Sequence, residues 1–419
     1  MRRPVDTSGS HRFVCLAVTG LLAAACTGGN GTGPVASVAT TTTLPTEPRL
    51  DDQVLHLGAL IPASDTAVGP ILTRSVELAV SAVNDAGGVL GNPVRLTIED
   101  EGATAVSTAE AIERLVAEGV DAIVGPTSSN SAIGALDDAV AAGIVACSAT
   151  ATAIALDDFP DDGFFFRSIA TDSLQAVAIA REAQLTGASQ IAIVHVDDAY
   201  GRPYADATVD ALQGEGTFEV KTISIPVNDD DLADDVDALA SSSAQVAIIL
   251  GDGDDTARFL EAMGQSETIA VTEIIVNDAA RSASAQVFSN LPDDLRSRII
   301  GVAPQIVLPE SSEVDDNLAF ASQVTDCVNL IALAAVQSNS DSPNLIAGQI
   351  ASVSSGGSVC GNFADCAERI EQNLQINYNG PTGITELGRN GDPTSARFDT
   401  FRLAADGSNV HVGSFIAER

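Results

Sequence analysis

The chain has no tryptophan, three tyrosines and two methionines in 419 residues, and Lys221 is its only lysine. Twenty basic residues stand against 57 acidic ones, a formal charge of −37. Residues 1–25 carry three Arg and one Asp, so the remainder is at −39. Such a surface repels phosphate backbones and anionic membranes, which excludes nucleic acid as a partner. Histidine is scarce too. His11, His56, His195 and His411 are scattered, and none stands at ligand spacing from another His or from a Cys, which argues against zinc. The acidic runs Asn228–Asp231 and Gly251–Asp255 lack the glycine and terminal glutamate of a calcium loop, and no G-x-x-x-x-G-K-[ST] phosphate loop occurs. No catalytic residue, metal or cofactor is therefore expected, and the chain reads as a non-enzyme. Past residue 53 no apolar run is long enough to cross a membrane.

The N-terminus has the layout of a secretory signal: Arg2, Arg3 and Arg12, then an apolar run from Phe13 to Ala25. Leu22-Ala23-Ala24-Ala25-Cys26 resembles a bacterial lipobox, in which the cysteine becomes the lipidated first residue. An ordinary signal with an incidental cysteine is the other reading. Residues 26–53 are rich in Thr, Gly and Pro and poor in large apolar side chains, the composition of a flexible tether. The expected location is the outer face of the cytoplasmic membrane, with Cys26 as anchor and the body in solution as a monomer.

Four cysteines remain. Cys360 and Cys366 frame a loop-like GNFAD stretch and are candidates for a local disulfide outside the cell. Cys147 lies in an apolar strand and Cys327 in an apolar helix, where a free thiol behaves as a small hydrophobe.

From Val54 on, strand and helix patterns alternate. Apolar runs such as Val54–Ile61, Ala122–Val124, Gln190–Val196 and Gln245–Leu250 are separated by stretches with helical periodicity. That alternation predicts parallel sheets built from right-handed βαβ units, and the length calls for two of them. The segment Ala122–Thr152 is the most informative. Ser128 and Ser129 stand where a helix begins, and Thr150 and Thr152 just past the next strand. Both positions fall at the carboxyl ends of strands, where open α/β sheets bind ligands. Free N–H groups and the helix dipole at Ser129 suit a carboxylate.

In order and spacing, several landmarks resemble the type I periplasmic binding proteins, specifically the branched-chain amino-acid receptor group of ABC importers. They are Gly58-Ala59-Leu60-Ile61-Pro62, the turn Asn84–Gly91, Val124-Gly125-Pro126 with Ser129, Phe165-Phe166-Arg167, Asp197–Gly201, and Asn377–Gly380 running on to Gly383. The resemblance implies an α/β fold of two lobes, each a mostly parallel sheet flanked by helices, joined by a three-stranded hinge. Residues 54–168 and 303–379 would form lobe 1, and 169–302 and 380–419 lobe 2. Crossings are expected near Arg167, at Gly301–Pro304 and at Gly380–Gly383.

By the same resemblance, a small amino-acid-like ligand lies between the lobes and is passed to an ABC permease. Its carboxylate would meet the hydroxyls of Ser129 and Thr152 and main-chain groups of Thr150 and Ala151. Tyr200 would close over it, and Asp278 would pair its ammonium group. The plain alternative for Ser129 and Thr152 is helix capping. This chain has Gly251-Asp252-Gly253-Asp254-Asp255 where the family often carries a tyrosine. Those aspartates either draw a more cationic ligand or cap the next helix. A sensor of the same fold, without transport, fits the sequence equally.

Overall fold

The computed structural model describes residues 51–65, 68–227, 229, 231–266, 270–282, 285–305, 320–383 and 386–419. The expected signal, Cys26 and nearly all of the tether lie outside them. Residues just before the expected boundary at Val54 are already bonded to the body. The Ser340 hydroxyl donates to Asp51 at 2.6 Å, and the Asp52 and Val54 amides donate to Asp341 at 3.1 and 3.0 Å.

The first sheet is parallel throughout, in the order β2-β1-β3-β4-β5. Its strands are β1 (His56–Ile61), β2 (Arg95–Asp100), β3 (Ala122–Val124), β4 (Val145–Ser148) and β5 (Phe165–Arg167). Helices α1 (Gly69–Asp85), α2 (Ala105–Glu118) and α3 (Ser129–Ala141) connect them. Leu57, Ala59 and Leu60 of β1 are fully buried because helices cover both faces, which is why β1 reads as an unbroken apolar run. Thr104 caps α2, accepting from the Ser107 amide, and Gly119 ends the helix in the left-handed region.

The second sheet has the order β14-β13-β10-β9-β8-β6-β7. Its parallel part comprises β6 (Gln190–Val196), β7 (Glu219–Ile225), β8 (Val246–Leu250), β9 (Glu273–Val276) and β10 (Ile299–Pro304). The hairpin β13 (Ser395–Leu403) and β14 (Asn409–Glu418) adds antiparallel to β10. Around this sheet lie α4 (Asp172–Leu185), α5 (Gly201–Glu215), α6 (Ala233–Ala240), α7 (Gly253–Gly264) and the short α8 (Ala279–Ser282), α9 (Ala285–Asn290) and α10 (Asp293–Arg296). Each sheet has its own apolar layer on either face.

The chain returns to the first sheet with α11 (Ala321–Ser338), α12 (Pro343–Val353), α13 (Phe363–Glu371) and the small parallel pair β11 (Ser358–Cys360) and β12 (Ile376–Tyr378). No helix among the described residues is long and apolar enough to cross a membrane.

Cys147 and Cys327 are joined, linking β4 to α11 with the Cα atoms 5.6 Å apart. This corrects the expectation of two free thiols. Their apolar surroundings are real, since both are fully buried. Local pattern gave no sign that a helix 180 residues later packs on that strand. Cys360 and Cys366 are also joined, with Cα atoms 5.4 Å apart.

The chain leaves the first sheet after β5, at a buried ionic knot. Arg167 donates to both oxygens of Asp392 at 2.6 and 2.7 Å, to Asp157 at 2.6 Å and to the Ala153 carbonyl at 3.0 Å. Arg419 adds a second cation, 2.5 Å from Asp157, so two cations face two carboxylates and the desolvated charges are compensated. Just past the end of β10 the Gln305 amide donates to the Arg397 carbonyl at 2.8 Å.

Past Gly380–Gly383, where the third crossing is expected, the chain keeps bonding residues of the first lobe. Thr382 still bonds Asp326, Gly391 accepts from the Arg167 amide at 2.9 Å, and Asp392 belongs to the knot. Residues 380–383 and 386–392, expected with the second lobe, therefore lie against the first. Gly380 is required where it stands, since a Cβ there would sit 2.0 Å from Asp326 Oδ1 and 2.2 Å from Tyr378 Oη. Burial pushes the Asp326 carboxyl up to about 6, with the Tyr378 hydroxyl donating to it at 2.6 Å.

Candidate functional site

The carboxyl ends of β3 and β4 carry two loops that are knitted together. Gly125 turns the chain at φ 126°, where a Cβ would meet the Leu60 carbonyl at 2.3 Å, and the peptide to Pro126 is cis. The Ser148 hydroxyl donates to the Pro126 carbonyl at 2.6 Å, and the Thr150 hydroxyl to the Thr127 carbonyl at 2.5 Å. Glu101 accepts from the Thr127 amide at 2.8 Å. Its carboxyl is raised by burial, with the Thr127 donors pulling the other way. Ser128 caps α3, accepting from the Ser131 amide at 2.9 Å.

Ser129 bridges the two loops. Its oxygen accepts from the Thr152 and Ala153 amides, both at 3.2 Å. A hydroxyl has one proton and two lone pairs, so both lone pairs are engaged and the proton remains to donate outward. The Ala151 amide is taken by the Ser148 oxygen at 3.0 Å. Thr150 has spent its proton on Thr127, which leaves Ser129 and Thr152 as the side-chain donors of this loop.

Asp172 follows immediately at the start of α4, and its amide donates to the Thr152 carbonyl at 2.9 Å. Its side chain is 1 % exposed, and neither carboxylate oxygen makes a hydrogen bond of ordinary geometry. Thr152 is near enough to act on it as a weak donor. Burial raises this carboxyl well above the usual range, and the negative charge of Asp278 raises it further. The Asp278 carboxyl is itself raised by burial, against the pull of Gln175.

Around these acids stand Tyr200 and Tyr204, rings edge to face with centroids 5.8 Å apart. Both phenols are held far above their usual range, by burial first and then by Asp172. The Asn277 amide donates to the Tyr200 hydroxyl at 3.3 Å and to the Gly251 carbonyl at 3.0 Å. Tyr200 follows β6, Gly251 follows β8 and Asn277 follows β9. Three adjacent parallel strands thus present this half of the site from their carboxyl ends, as an open α/β sheet does. Asp252 caps α7 through the Asp255 amide at 2.7 Å, and Asp255 pairs with Arg258. Those two aspartates of the Gly251–Asp255 run thus have helix-end partners.

A family model described as periplasmic binding protein matches residues 56–279, just over half of the chain. The chain belongs to the periplasmic binding protein family. It is 26% identical over 366 residues to the Leu/Ile/Val-binding protein BraC3 of Rhizobium johnstonii, covering 84% of this chain and 92% of that one. It is 28% identical over 356 residues to the chemotactic signal transduction system substrate-binding protein BasB of Halobacterium salinarum, covering 80% and 84%. In fold it is similar to the leucine-binding protein LivK of Thermotoga maritima, with a TM-score of 0.66 at 17% identity, covering 86% of this chain and 99% of that one.

With the type I periplasmic binding fold in place, its two lobes account for the two halves of the site. Hydrogen bonds connect Ser129, Thr152 and Asp172, and electrostatic coupling connects Asp172 with Asp278 and Tyr200. Three polar residues of the cluster escaped sequence reasoning: Asp172, Tyr204 and Asn277. The signal for Asp172 was present in Thr171-Asp172, directly after the exit from β5. A carboxylate in the first turn of a helix reads as dipole compensation, and only its burial among other acids marks it as something else.

Proposed function

We propose that this periplasmic binding protein captures a small amino-acid-like solute between its lobes and closes a hinge over it. The ligand carboxylate lies on the first lobe, against the Ser129 and Thr152 hydroxyls, since the amides of Thr150 and Ala151 are bonded to Ser148. Its ammonium lies on the second, between Asp172, Asp278 and the Tyr200 hydroxyl. One observation carries this reading: Asp172 is buried, lacks a well-formed hydrogen bond and faces a second acid. Such a carboxylate is costly unless a cation joins it. The similarity to a Leu/Ile/Val-binding protein supports an amino-acid head group.

In this reading the protein is not an enzyme. It works as a monomer outside the cytoplasmic membrane, tethered through a lipidated Cys26, and delivers its ligand to an ABC permease. The similarity to BasB, named for chemotactic signal transduction, favours a second use of the same cleft, as a sensor that signals to a membrane receptor. Calorimetric titration of the twenty amino acids, with urea and polyamines as further classes, tests the ligand. Binding of at least one α-amino acid is expected, and failure of all of them overturns the reading. Mass spectrometry of the membrane-bound chain tests lipidation at Cys26.

A further inference from the structure

The second-lobe half of the site holds more polar groups than an amino-acid head group needs. Three fully buried side chains there, from three elements, have a polar atom without a partner: Tyr204 Oη, Thr256 Oγ1 and Asn277 Oδ1. Asn277 and Thr256 both adjoin Gly251, and Tyr204 joins them through the ring of Tyr200. The Asn277 amide nitrogen bonds the Gly251 carbonyl at 3.0 Å and the Tyr200 hydroxyl at 3.3 Å, which leaves its oxygen as a bare acceptor. A Cβ on Gly251 would lie 3.0 Å from Val196 Cγ2 and 3.3 Å from Thr256 Oγ1, so only a residue without a side chain fits against the threonine hydroxyl. The ring of Tyr204 packs on that of Tyr200. A buried polar atom without a partner is expensive, and native proteins keep few of them.

We propose that these groups form a polar subsite that selects a ligand with a short, uncharged side chain able both to donate and to accept, as a carboxamide or hydroxyl does. This inference rests on the amino-acid reading above and names the side chain that reading leaves open. The donor of such a side chain satisfies Asn277 Oδ1, and its acceptor takes the Thr256 or Tyr204 proton. A carboxylate side chain is rejected by Asp172 and Asp278. An aliphatic side chain of the same shape leaves all three atoms unpaired, the situation in which hydrogen-bonding pockets discriminate most strongly.

Matched pairs of nearly equal shape provide the test: threonine against valine, and asparagine against leucine, titrated calorimetrically into the full chain. The polar member is expected to bind at least about tenfold tighter in one pair or both. In Thr256→Val that advantage should disappear while affinity for valine and leucine holds or rises. If valine and leucine equal or outbind their partners in the unaltered protein, the subsite is overturned and the amino-acid reading stands. If no α-amino acid binds, the reading itself fails and this inference falls with it. The unaltered protein decides the matter even where a variant fails to fold.

Discussion

The two halves of the site are built on opposite plans. On the first lobe, hydroxyls and amides are already bonded to one another: Ser129 holds the Thr152 and Ala153 amides, Ser148 holds the Ala151 amide, and Thr150 is spent on Thr127. On the second, Asp172, Tyr204, Thr256 and Asn277 carry buried polar atoms without a well-formed hydrogen bond. The first half is a finished surface that offers a few protons. The second is a set of unmet demands, costly until a ligand answers them. Affinity should therefore depend most on the second lobe, and resting stability on the first.

Covalent ties follow the same division, since both disulfides among the described residues lie on first-lobe elements. The largest effect is expected from Cys147→Ala with Cys327→Ala. Opening a link across 180 residues should cost about 5 kcal/mol by loop entropy, against about 2 kcal/mol for Cys360→Ala with Cys366→Ala. Urea denaturation compares the two, and equal losses would show that the long link constrains little.

Next comes Asp172→Asn. Removing the carboxylate should weaken amino-acid binding about 100-fold, on the scale of losing one partner of a buried charge pair. The ligand-free protein at neutral pH should become more stable, because a desolvated charge has gone. A variant that loses stability without losing affinity would make Asp172 a structural acid and erase the contrast between the halves.

Acid should separate the same two properties. Burial raises the Asp172 and Asp278 carboxyls above the ordinary 3.8, so the folded state takes up protons more readily than the unfolded chain. Their contribution to folding stability is complete below that ordinary value and is lost as pH rises through their folded values. Ammonium binding needs the ionised form and runs the other way. Ligand affinity should therefore fall on acidification at a pH where ordinary carboxylates are still charged. Titrations at a series of pH values on the unaltered protein and Asp172→Asn isolate this component, and a flat difference between them would contradict it.

The smallest effect distinguishes two neighbouring hydroxyls. Ser129→Ala should cost about 1 kcal/mol of stability through the two amides it releases, and about tenfold in affinity through the lost proton. Thr150→Ala should cost stability only, because its proton is already used. Equal losses of affinity would mean that the Thr150 hydroxyl turns to the ligand.

Much of the fold was legible because parallel strands covered on both faces must be apolar along their length. Ala122–Val124 and Gln190–Val196 match β3 and β6 residue for residue, and the helix start at Ser128-Ser129 holds. The resemblance put the third crossing at Gly380–Gly383, while Thr382 and Asp392 still bond first-lobe partners. Gly380 is there to let Tyr378 and Asp326 approach.

By itself the sequence determined what depends on neighbours along the chain: the alternation of strands and helices, the hydroxyls at strand ends, the short disulfide loop and the acidic surface. Periodicity and capping act within a few residues, so they can be read in one dimension. The tertiary structure alone decided what depends on residues far apart meeting. It joined Cys147 to Cys327, gathered Asp157, Arg167, Asp392 and Arg419 into one knot, and set Asp172 beside Asp278 with three buried polar atoms nearby. Burial and the charges around a group set its electrostatic state, and neither exists until the chain has folded.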